Sequence, residues 1–337
     1  MKVLIYSDIH ISQDSSIVKG FGKNYSTRLE YIIKSINWAE NLAINHKCDL
    51  IFNLGDTFNK PIVNAMEATA VQDINWADLP HYILVGNHDS DVVSLEYSSV
   101  SILKKLGFHI IKEVTHLYDN EDVFTFIPYI LEDNRKPLTE YLVGKNDIVL
   151  SHNDIAGFRF GNFVSKEGFK VDDIEKCCKL FLNGHLHNSS FLSDKILNVG
   201  NLCGQNFTED ALKYSHGCWI LDTKTNSLEF YENPYSLNFY KLEYPSDKKV
   251  FSNLKNNSVL MVKCERSYQE ELKNILTNYS DKIVTTRVLL YDKDIIENID
   301  TQVKLDKVDH LKQFTDFIHE QLGNTELINE ELMEVCR

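Results

Sequence analysis

The feature that most restricts the fold of this chain is a series of five short polar motifs, each placed directly after a predicted strand. They are Asp8-Ile9-His10, Gly55-Asp56, Gly86-Asn87-His88-Asp89, Ser151-His152 and Gly184-His185-Leu186-His187. Packing gives no reason for Asp, Asn and His to recur at strand ends. They are the oxygen and nitrogen ligands that suit Mn, Fe and Zn, and two-metal hydrolytic sites use such side chains. The motifs therefore predict a fold that gathers strand ends around metal ions.

Strands and helices alternate along the first part of the chain, with short links between them. Short apolar runs predict strands at residues 2–6, 49–53, 81–85, 108–111, 115–118, 123–127, 147–150, 180–182, 195–199, 218–222 and 228–231. Helical spacing of apolar residues predicts helices at 25–45, 64–75 and 94–105. This order favours stacked α/β layers, in which two packed sheets are flanked by helices and sites lie at the carboxyl ends of strands.

The character of the sequence changes after about residue 235. Strands are predicted at 239–243, 259–264 and 282–290, with a helix at 269–278, which together suggest a small α+β cap without a candidate ligand cluster. From residue 306 an amphipathic helix is predicted. We interpret it as a partner surface in preference to a self-packed helix, although its apolar stripe is compatible with both. We therefore expect domains at 1–235 and 236–295 and a helical segment at 300–337.

Bulk properties are those of a soluble globular protein, with 43% hydrophobic and 25% charged residues in a chain of 337. No apolar run is long enough to cross a bilayer and the N-terminus lacks the pattern of a signal peptide, so we expect a cytoplasmic protein. The seven cysteines are scattered and form no C-x-x-C pair, which favours reduced thiols over a zinc ribbon.

The formal charge of -14 disfavours long-range electrostatic capture of nucleic acid, because phosphate contacts normally come from a basic face. It does not exclude local binding of nucleic acid. Divalent cations would cancel carboxylate charge at the site, and a partner subunit could carry a basic groove.

The chemistry of a two-metal site assigns roles to several of these residues. Two cations about 3.5 to 4 Å apart need a bridging carboxylate, and a hydroxide held between them is a nucleophile at neutral pH. Asp56 is the natural bridge. His185 and His187 could face one ion or divide between two. His88 follows Asn87 at a place suited to the substrate, where it could stabilise charge or protonate a leaving alkoxide.

Taken in order, the five motifs resemble those of the calcineurin-like metallophosphoesterases over roughly residues 1–235. The resemblance implies a two-sheet αββα sandwich with two divalent metal ions. It implies that one ion is held by Asp8, His10, Asp56 and His187. It implies that the other is held by Asp56, Asn87, His152 and His185, with His88 as the catalytic residue beside the substrate.

Further motifs resemble the nuclease branch of that family. Ser/Thr phosphatases carry G-D-x-x-D-R-G, whereas this chain has Gly55-Asp56-Thr57-Phe58-Asn59-Lys60-Pro61, without the arginine. This segment, Ile127-Pro128-Tyr129 and the run from Asn198 to Gly204 look like the SbcD-type nuclease subunit of recombination and repair complexes, and most like its compact version in large tailed phages. That resemblance implies a manganese-preferring DNA exonuclease and endonuclease that docks through its C-terminal helices on an SbcC-type ABC ATPase and can form a homodimer.

One position departs from the pattern of these relatives. Three residues after the bridging aspartate they often carry Asp or His in contact with the catalytic histidine, and here the residue is Asn59. An amide can orient His88 but has no charge with which to raise its pKa. We therefore expect His88 to be a weaker acid than in those relatives.

Two other functions compete with the nuclease. One is a phosphoesterase of the same superfamily that acts on small esters, and the other is an inactive scaffold bound to an ATPase. Each motif alone is also compatible with an ordinary polar turn. Asp154, close to His152, could meet the substrate, but a local hydrogen bond is the simpler expectation.

Overall fold

The computed structural model describes residues 1–91, 94–119, 122–144, 147–160 and 163–292. The chain divides into two units, Met1–Leu290 and Tyr291–Arg337. All residues of the five motifs belong to the first unit. The helix predicted from residue 306 and the segment at 300–337 lie outside the described residues, and the domain boundary predicted at 235 stays a prediction.

The described residues form many short strands and few helices. The strands are β1 (Lys2–Tyr6), β2 (Leu50–Asn53), β3 (His81–Leu84), β4 (Ser90–Asp91), β5 (Ser94–Ser98), β6 (His109–Ile111), β7 (Thr115–Asp119), β8 (Asp122–Ile127), β9 (Asp147–Ser151), β10 (Ile155–Ala156), β11 (Arg159–Phe160), β12 (Phe163–Val164), β13 (Phe169–Lys170), β14 (Leu180–Asn183), β15 (Ser190–Ser193), β16 (Ile196–Asn198), β17 (Gly217–Asp222), β18 (Ser227–Glu232), β19 (Asn238–Tyr244), β20 (Ser258–Glu265) and β21 (Ile283–Tyr291). The α-helices are α1 (Thr27–Asn45), α2 (Ala65–Gln72), α3 (Val171–Cys177) and α4 (Gln269–Asn278). Short 3₁₀ helices cover Ser99–Leu106, Glu132–Asn134, Leu138–Glu140, Lys248–Asn253 and Arg266–Tyr268.

Two six-stranded sheets form the centre of the fold. The first has the strand order β18-β17-β1-β2-β3-β6, in which β1, β2, β3 and β6 are parallel. The second has the order β15-β16-β14-β9-β8-β7, in which β8, β9, β14 and β16 are parallel. The carboxyl ends of parallel strands meet at one edge of a sheet. The motifs after β1, β2 and β3 therefore lie together at one edge of the first sheet. Those after β9 and β14 lie together at one edge of the second.

The alternation of side chains along β1 explains how the layers stack, because successive residues of a strand point to opposite faces. Leu4 and Tyr6 pack on the face covered by α1, where they meet Leu29, Ile32 and Ile36. Val3 and Ile5 pack on the other face, in a core shared with Phe52, Phe126, Leu150 and Leu182. A third core lies beyond the second sheet and includes Ile174 of α3 with Val149 and Phe181. The layers thus run α, β, β, α, which confirms the predicted sandwich.

A smaller three-stranded sheet follows, with the strand order β19-β20-β21. Strands β19 and β20 are parallel over their full length, and α4 lies between β20 and β21 in the chain. Its own core includes Tyr240, Leu242, Leu260, Val262 and Leu272. The predicted α+β cap is confirmed as a fold element.

The helix predicted at 94–105 is wrong in its first part. Residues Ser94–Ser98 form β5, which pairs antiparallel with β4, and only Ser99–Leu106 is helical, as a 3₁₀ helix. The carbonyl of Asp89 accepts hydrogen bonds from the backbone N–H and the hydroxyl of Ser99, at 2.7 and 3.0 Å. This anchor ends a small hairpin, so the helix cannot begin earlier. Among the described residues, no helix combines the length and the apolar character needed to cross a membrane.

Candidate metal centre

The loops after β1 and β2 remain paired beyond the ends of their strands. The backbone N–H of Asp8 donates to the carbonyl of Gly55, and that of His10 donates to the carbonyl of Asp56, both at 3.0 Å. The N–H of Ile11 donates to the carbonyl of Thr57 at 2.8 Å. These bonds hold the first two motifs side by side.

Four of the predicted site residues have a left-handed backbone, with φ values of 51° for Asp8, 50° for His10, 50° for Asp56 and 74° for His185. Residues other than glycine rarely adopt this conformation. Such strain persists where the surrounding structure enforces it, and it concentrates at functional sites. The left-handed backbone therefore coincides with four of the eight predicted site residues.

The loop after β3 packs tightly on Asp56. A Cβ at Gly86 would collide with the side chain and the backbone nitrogen of Asp56. The N–H of His88 donates to Oδ1 of Asp56 at 2.9 Å, which leaves Oδ2 to face the histidines. Buried Asp89 accepts backbone hydrogen bonds from Gly86, at 3.0 Å, and from Phe58, at 2.8 Å, and so joins the loops after β2 and β3.

Asp8, His10 and His187 form what we call the first donor group, since one ligand atom of each lies within 4.8 Å of the others. Nε2 of His10 is 3.1 Å from Nε2 of His187 and 3.9 Å from Oδ1 of Asp8. Nε2 of His187 is 4.0 Å from the same oxygen. Three donor atoms therefore surround one point.

Asp56, His152 and His185 form the second donor group by the same criterion, and Asn87 joins it. Oδ1 of Asn87 is 3.2 Å from Nε2 of His152 and 3.0 Å from Nδ1 of His185. Nε2 of His152 is 3.3 Å from Oδ2 of Asp56.

A single oxygen of Asp56 serves both groups. Its Oδ2 is 3.6 Å from Nε2 of His10 in the first donor group and 3.3 Å from Nε2 of His152 in the second. A carboxylate between two sets of nitrogen ligands is what a pair of adjacent divalent cations requires. The geometry thus suits the bridging role predicted for Asp56.

The donor set fits divalent cations by two further observations. Oδ1 of Asp8 is buried and has no hydrogen-bond partner among the described residues, although it faces two histidine nitrogens. Nδ1 of His152 lies 2.6 Å from the carbonyl of Leu54. This bond fixes the proton on Nδ1 of the neutral ring and leaves a lone pair on Nε2, the arrangement typical of metal-binding histidines.

An outer carboxylate, Glu209, holds the first donor group and was not predicted. Its Oε1 is 2.7 Å from Nδ1 of His187, and its Oε2 accepts from the side chain of Asn201 and the backbone of Gln205. Burial is the largest single influence and acts to raise the pKa of Glu209, but the hydrogen bond and charge of His187, with the charge of His216 and the hydrogen bond from Asn201, together lower it. A charged carboxylate of this kind orients a ligand histidine and raises its basicity. No motif marks Glu209, because it lies in an irregular loop far along the chain.

Asp56 and His152 shift each other's pKa in opposite directions. Burial acts to raise the pKa of Asp56, but the charge and hydrogen bond of His152 outweigh it and hold the pKa well below its usual range. Burial likewise acts to lower the pKa of His152, but Asp56 raises it to about 9. Burial holds the pKa of His10 well below 6.5, so this ring is neutral and free to act as a ligand. A buried Asp56 anion therefore calls for positive charge beside it.

His88 lies at the exposed mouth of the site. Its ring centre is 4.8 Å from that of His10, and its side chain also comes within reach of Asp56. Nδ1 of His88 is 3.1 Å from the backbone carbonyl of Asn59. The backbone of residue 59, rather than its side-chain amide, therefore makes the contact that was expected of Asn59.

The structure brings all the sequence-predicted site residues into this one cluster: Asp8, His10, Asp56, Asn87, His88, His152, His185 and His187. Their roles as metal ligands, and that of His88 in catalysis, stay predictions. Asp154 lies beside the cluster, with Oδ1 3.4 Å from Nε2 of His185, so it orients a predicted ligand.

The chain matches the sequence model of one protein family and is similar to several solved structures. No curated protein matches the chain. Among solved structures it is similar to TT1561 of Thermus thermophilus, with 13% identity, a TM-score of 0.41 and coverage of 68% of this chain and 98% of that one. It is also similar to a metallophosphoesterase from Sphaerobacter thermophilus, with 14% identity, a TM-score of 0.33 and coverage of 84% and 100%. The sequence model of the calcineurin-like phosphoesterases matches residues 1–223, and the chain therefore belongs to that family of metal-dependent hydrolases.

Proposed function

We propose that this protein is the nuclease subunit of an SbcCD-type recombination and repair complex, which hydrolyses DNA phosphodiester bonds with two divalent cations, preferably Mn²⁺. The observation that carries the hydrolytic part is the Oδ2 atom of Asp56, which lies between the two donor groups. Divalent cations bound there supply the Lewis acidity that activates water and neutralises phosphate charge.

The segment after Asp56 supports a diester substrate over a phosphate monoester. The Ser/Thr phosphatase pattern would place its arginine at position 60, where this chain has Lys60. The side chain of Lys60 is 63% exposed and pairs with Asp14 at 3.3 Å. Phe58, beside it, is buried in the core under α1. The chain thus lacks, at this position, the group that grips a terminal phosphate in those phosphatases.

The other side chains of the site have two further roles, proton donation and rigid positioning. His88 is exposed, and with Nδ1 bonded to a carbonyl it directs Nε2 away from that contact. In that orientation a protonated His88 donates its Nε2 proton to the departing oxygen. The buried residues Asp8, His10 and His152 keep the donor groups rigid and exclude bulk water.

A cleft of about 370 Å³ lies beside Asn87 and extends away from the metal centre. Tyr129, Tyr141, Lys112 and Lys136 are among its lining residues. Proteins that bind single-stranded nucleic acids stack the bases on aromatic side chains and contact the phosphates with basic side chains such as lysine. This cleft therefore offers a path for a DNA strand that leaves the site.

The charge of the chain bears on its partners. A protein with a formal charge of -14 gains little from long-range attraction to DNA. We therefore propose that an SbcC-type ABC ATPase supplies most of the DNA-binding surface, and that residues 300–337 contact it. Co-purification of an ATPase with the tagged full-length chain from its native source tests this partnership, and loss of that ATPase when residues 300–337 are deleted tests the contact.

The activity test compares linear DNA with bis(p-nitrophenyl) phosphate and p-nitrophenyl phosphate in the presence of MnCl₂. We expect cleavage of DNA and of the diester, and loss of both in Asp56→Asn. Asp172→Asn, a matched change on the exposed side of α3, should retain both. Turnover of p-nitrophenyl phosphate without DNA cleavage would instead support the small-ester phosphoesterase. No turnover of any substrate by the metal-loaded protein would support the inactive scaffold.

A further inference from the structure

A second feature of the molecule, outside the two donor groups, concerns Arg28 in the first turn of α1. Its side chain is 5% exposed. Among the described residues, no hydrogen bond or ion pair involves its guanidinium. Burial lowers the pKa of Arg28, and the electrostatic interactions with Cys203 and, less strongly, with Glu209 act against it without a hydrogen bond.

An unpaired guanidinium is costly to bury, since buried charges are normally paired or bound to a ligand. Helix α1 has no need of it, because Leu29, Ile32 and Ile36 already pack the helix on the first sheet. The position of Arg28 therefore points to a negatively charged group that comes from outside the chain.

The guanidinium has space for such a group. Arg28 lines a cavity of about 390 Å³, far larger than the roughly 30 Å³ that one water occupies in the liquid. Nearly all of its other lining residues are polar: Asp14, Ser15, Ser16, Asn59, Gln205 and Asn206, with Ile17 as the exception.

The cavity is next to the metal centre but separate from it. None of the predicted metal ligands lines it. Gln205, in its wall, donates from Nε2 to the carbonyl of Asp8 at 3.2 Å, and Asn59, also in its wall, holds Nδ1 of His88. A group bound in this cavity would thus lie beside the reacting phosphate and not between the ions.

The charges around the cavity favour an anion. Asp14 is 62% exposed and is paired with Lys60. Glu209, the other nearby carboxylate, uses its oxygens for His187, Asn201 and Gln205. The side-chain amide of Asn59 is neutral, and within the described part of the chain it makes no hydrogen bond. Arg28 therefore has no close carboxylate to neutralise it.

We propose that Arg28 and the amide of Asn59 bind a phosphate of the DNA strand next to the one that is cleaved. This inference rests on the proposed nuclease function and adds a determinant of its substrate. It also gives a reason for the amide at position 59, since a carboxylate there would pair with Arg28 and repel phosphate.

The test measures kcat and KM for a short oligonucleotide, which has neighbouring phosphates, and for bis(p-nitrophenyl) phosphate, which has one. Loss of a charge-assisted hydrogen bond corresponds to about 10- to 100-fold. In Arg28→Met we expect KM for the oligonucleotide to rise by about that factor. The fold-increase in KM for the ester should be several times smaller than the fold-increase for the oligonucleotide. Asn59→Asp should change the two KM values in the same unequal way. Lys34→Gln, which removes a cation from the exposed side of the same helix, is the matched control.

Thermal unfolding separates binding from a structural role. Removing an unpaired buried charge should leave Tm of Arg28→Met equal to or above that of the wild type, whereas a structural arginine would lower Tm when removed. Equal losses on both substrates, or a lower Tm with no change in the KM ratio, would overturn the proposal.

Binding of inorganic phosphate keeps the inference distinct from the nuclease assignment. With Mn²⁺ present, phosphate should raise Tm of the wild type more than that of Arg28→Met. If the wild type fails to cleave DNA but shows this difference, the nuclease assignment fails and the anion site stands. If the wild type cleaves DNA and the two proteins respond equally to phosphate, the anion site fails alone.

Discussion

The two donor groups share Asp56 but are supported differently. In the first, the imidazole of His187 is bonded to Glu209, a fully buried carboxylate with three further polar contacts. In the second, His152 is bonded to a backbone carbonyl, and His185 faces Asp154, which is 32% exposed. A buried charge holds a ligand more firmly than a solvated one. We therefore expect the first donor group to bind its cation more tightly and to lose more affinity when its supporting carboxylate is removed.

Substitution of Asp56, the residue that both donor groups share, should reduce activity more than any other change. Asp56→Asn keeps the shape but removes the anion, and kcat should fall by about 100- to 1,000-fold or more, as when a key electrostatic group is removed. Steady-state turnover of bis(p-nitrophenyl) phosphate at saturating Mn²⁺ measures this. Asp172→Asn is the control, and retention of more than about a tenth of the activity would contradict the shared role.

The next prediction concerns Glu209, which supports the first donor group. Glu209→Gln retains the volume but removes the charge beside His187, and affinity for the tighter Mn²⁺ ion should fall by about 10- to 100-fold. Calorimetric titration of chelator-treated protein gives the two affinities separately. A fall in affinity at the weaker site alone would contradict the assignment of the tighter site to the first donor group.

A smaller effect is expected in the second donor group. Asp154→Asn removes a partly solvated carboxylate 3.4 Å from His185, so the affinity of the weaker site should fall by less than about tenfold. The same titration measures it, alongside Glu209→Gln. A loss as large as that of Glu209→Gln would show that exposure does not distinguish the two groups.

The smallest effect concerns pH in the absence of metal. Burial acts to lower the pKa of His152, but Asp56 raises it from 6.5 to about 9 in the folded chain. Because the folded pKa is raised, this stabilisation is complete below pH 6.5 and is lost as the pH rises through about 9. Tm of chelated protein should therefore fall across that interval. With Mn²⁺ it should not if His152 is a ligand as predicted, because an ion held by the deprotonated ring would replace the proton.

The sequence was most informative where local chemistry and periodicity agree. The motif residues lie together in the structure because parallel strands bring their carboxyl ends to one edge, whatever the order of the chain between them. The alternating faces of β1 and the long apolar repeat of α1 likewise led to the layered fold. These features depend on residues close in sequence, which is why they can be read without coordinates.

Other features depend on contacts between distant residues. Glu209 meets His187 from an irregular loop 22 positions later, and no spacing rule connects them. The segment Ser94–Ser98 has apolar spacing that suits a helix, yet pairing with β4 makes it a strand. Helix α3, with seven residues, is too short to show a repeat. The unpaired state of Arg28 becomes visible only when the surroundings of α1 are known.

The bond between His88 and the carbonyl of Asn59 has a consequence for engineering. Since every residue has a backbone carbonyl, the side chain at 59 can be exchanged while the orientation of the imidazole is kept. Libraries at this single position are therefore a route to variants that prefer longer or shorter polyanions and retain the proposed proton donor.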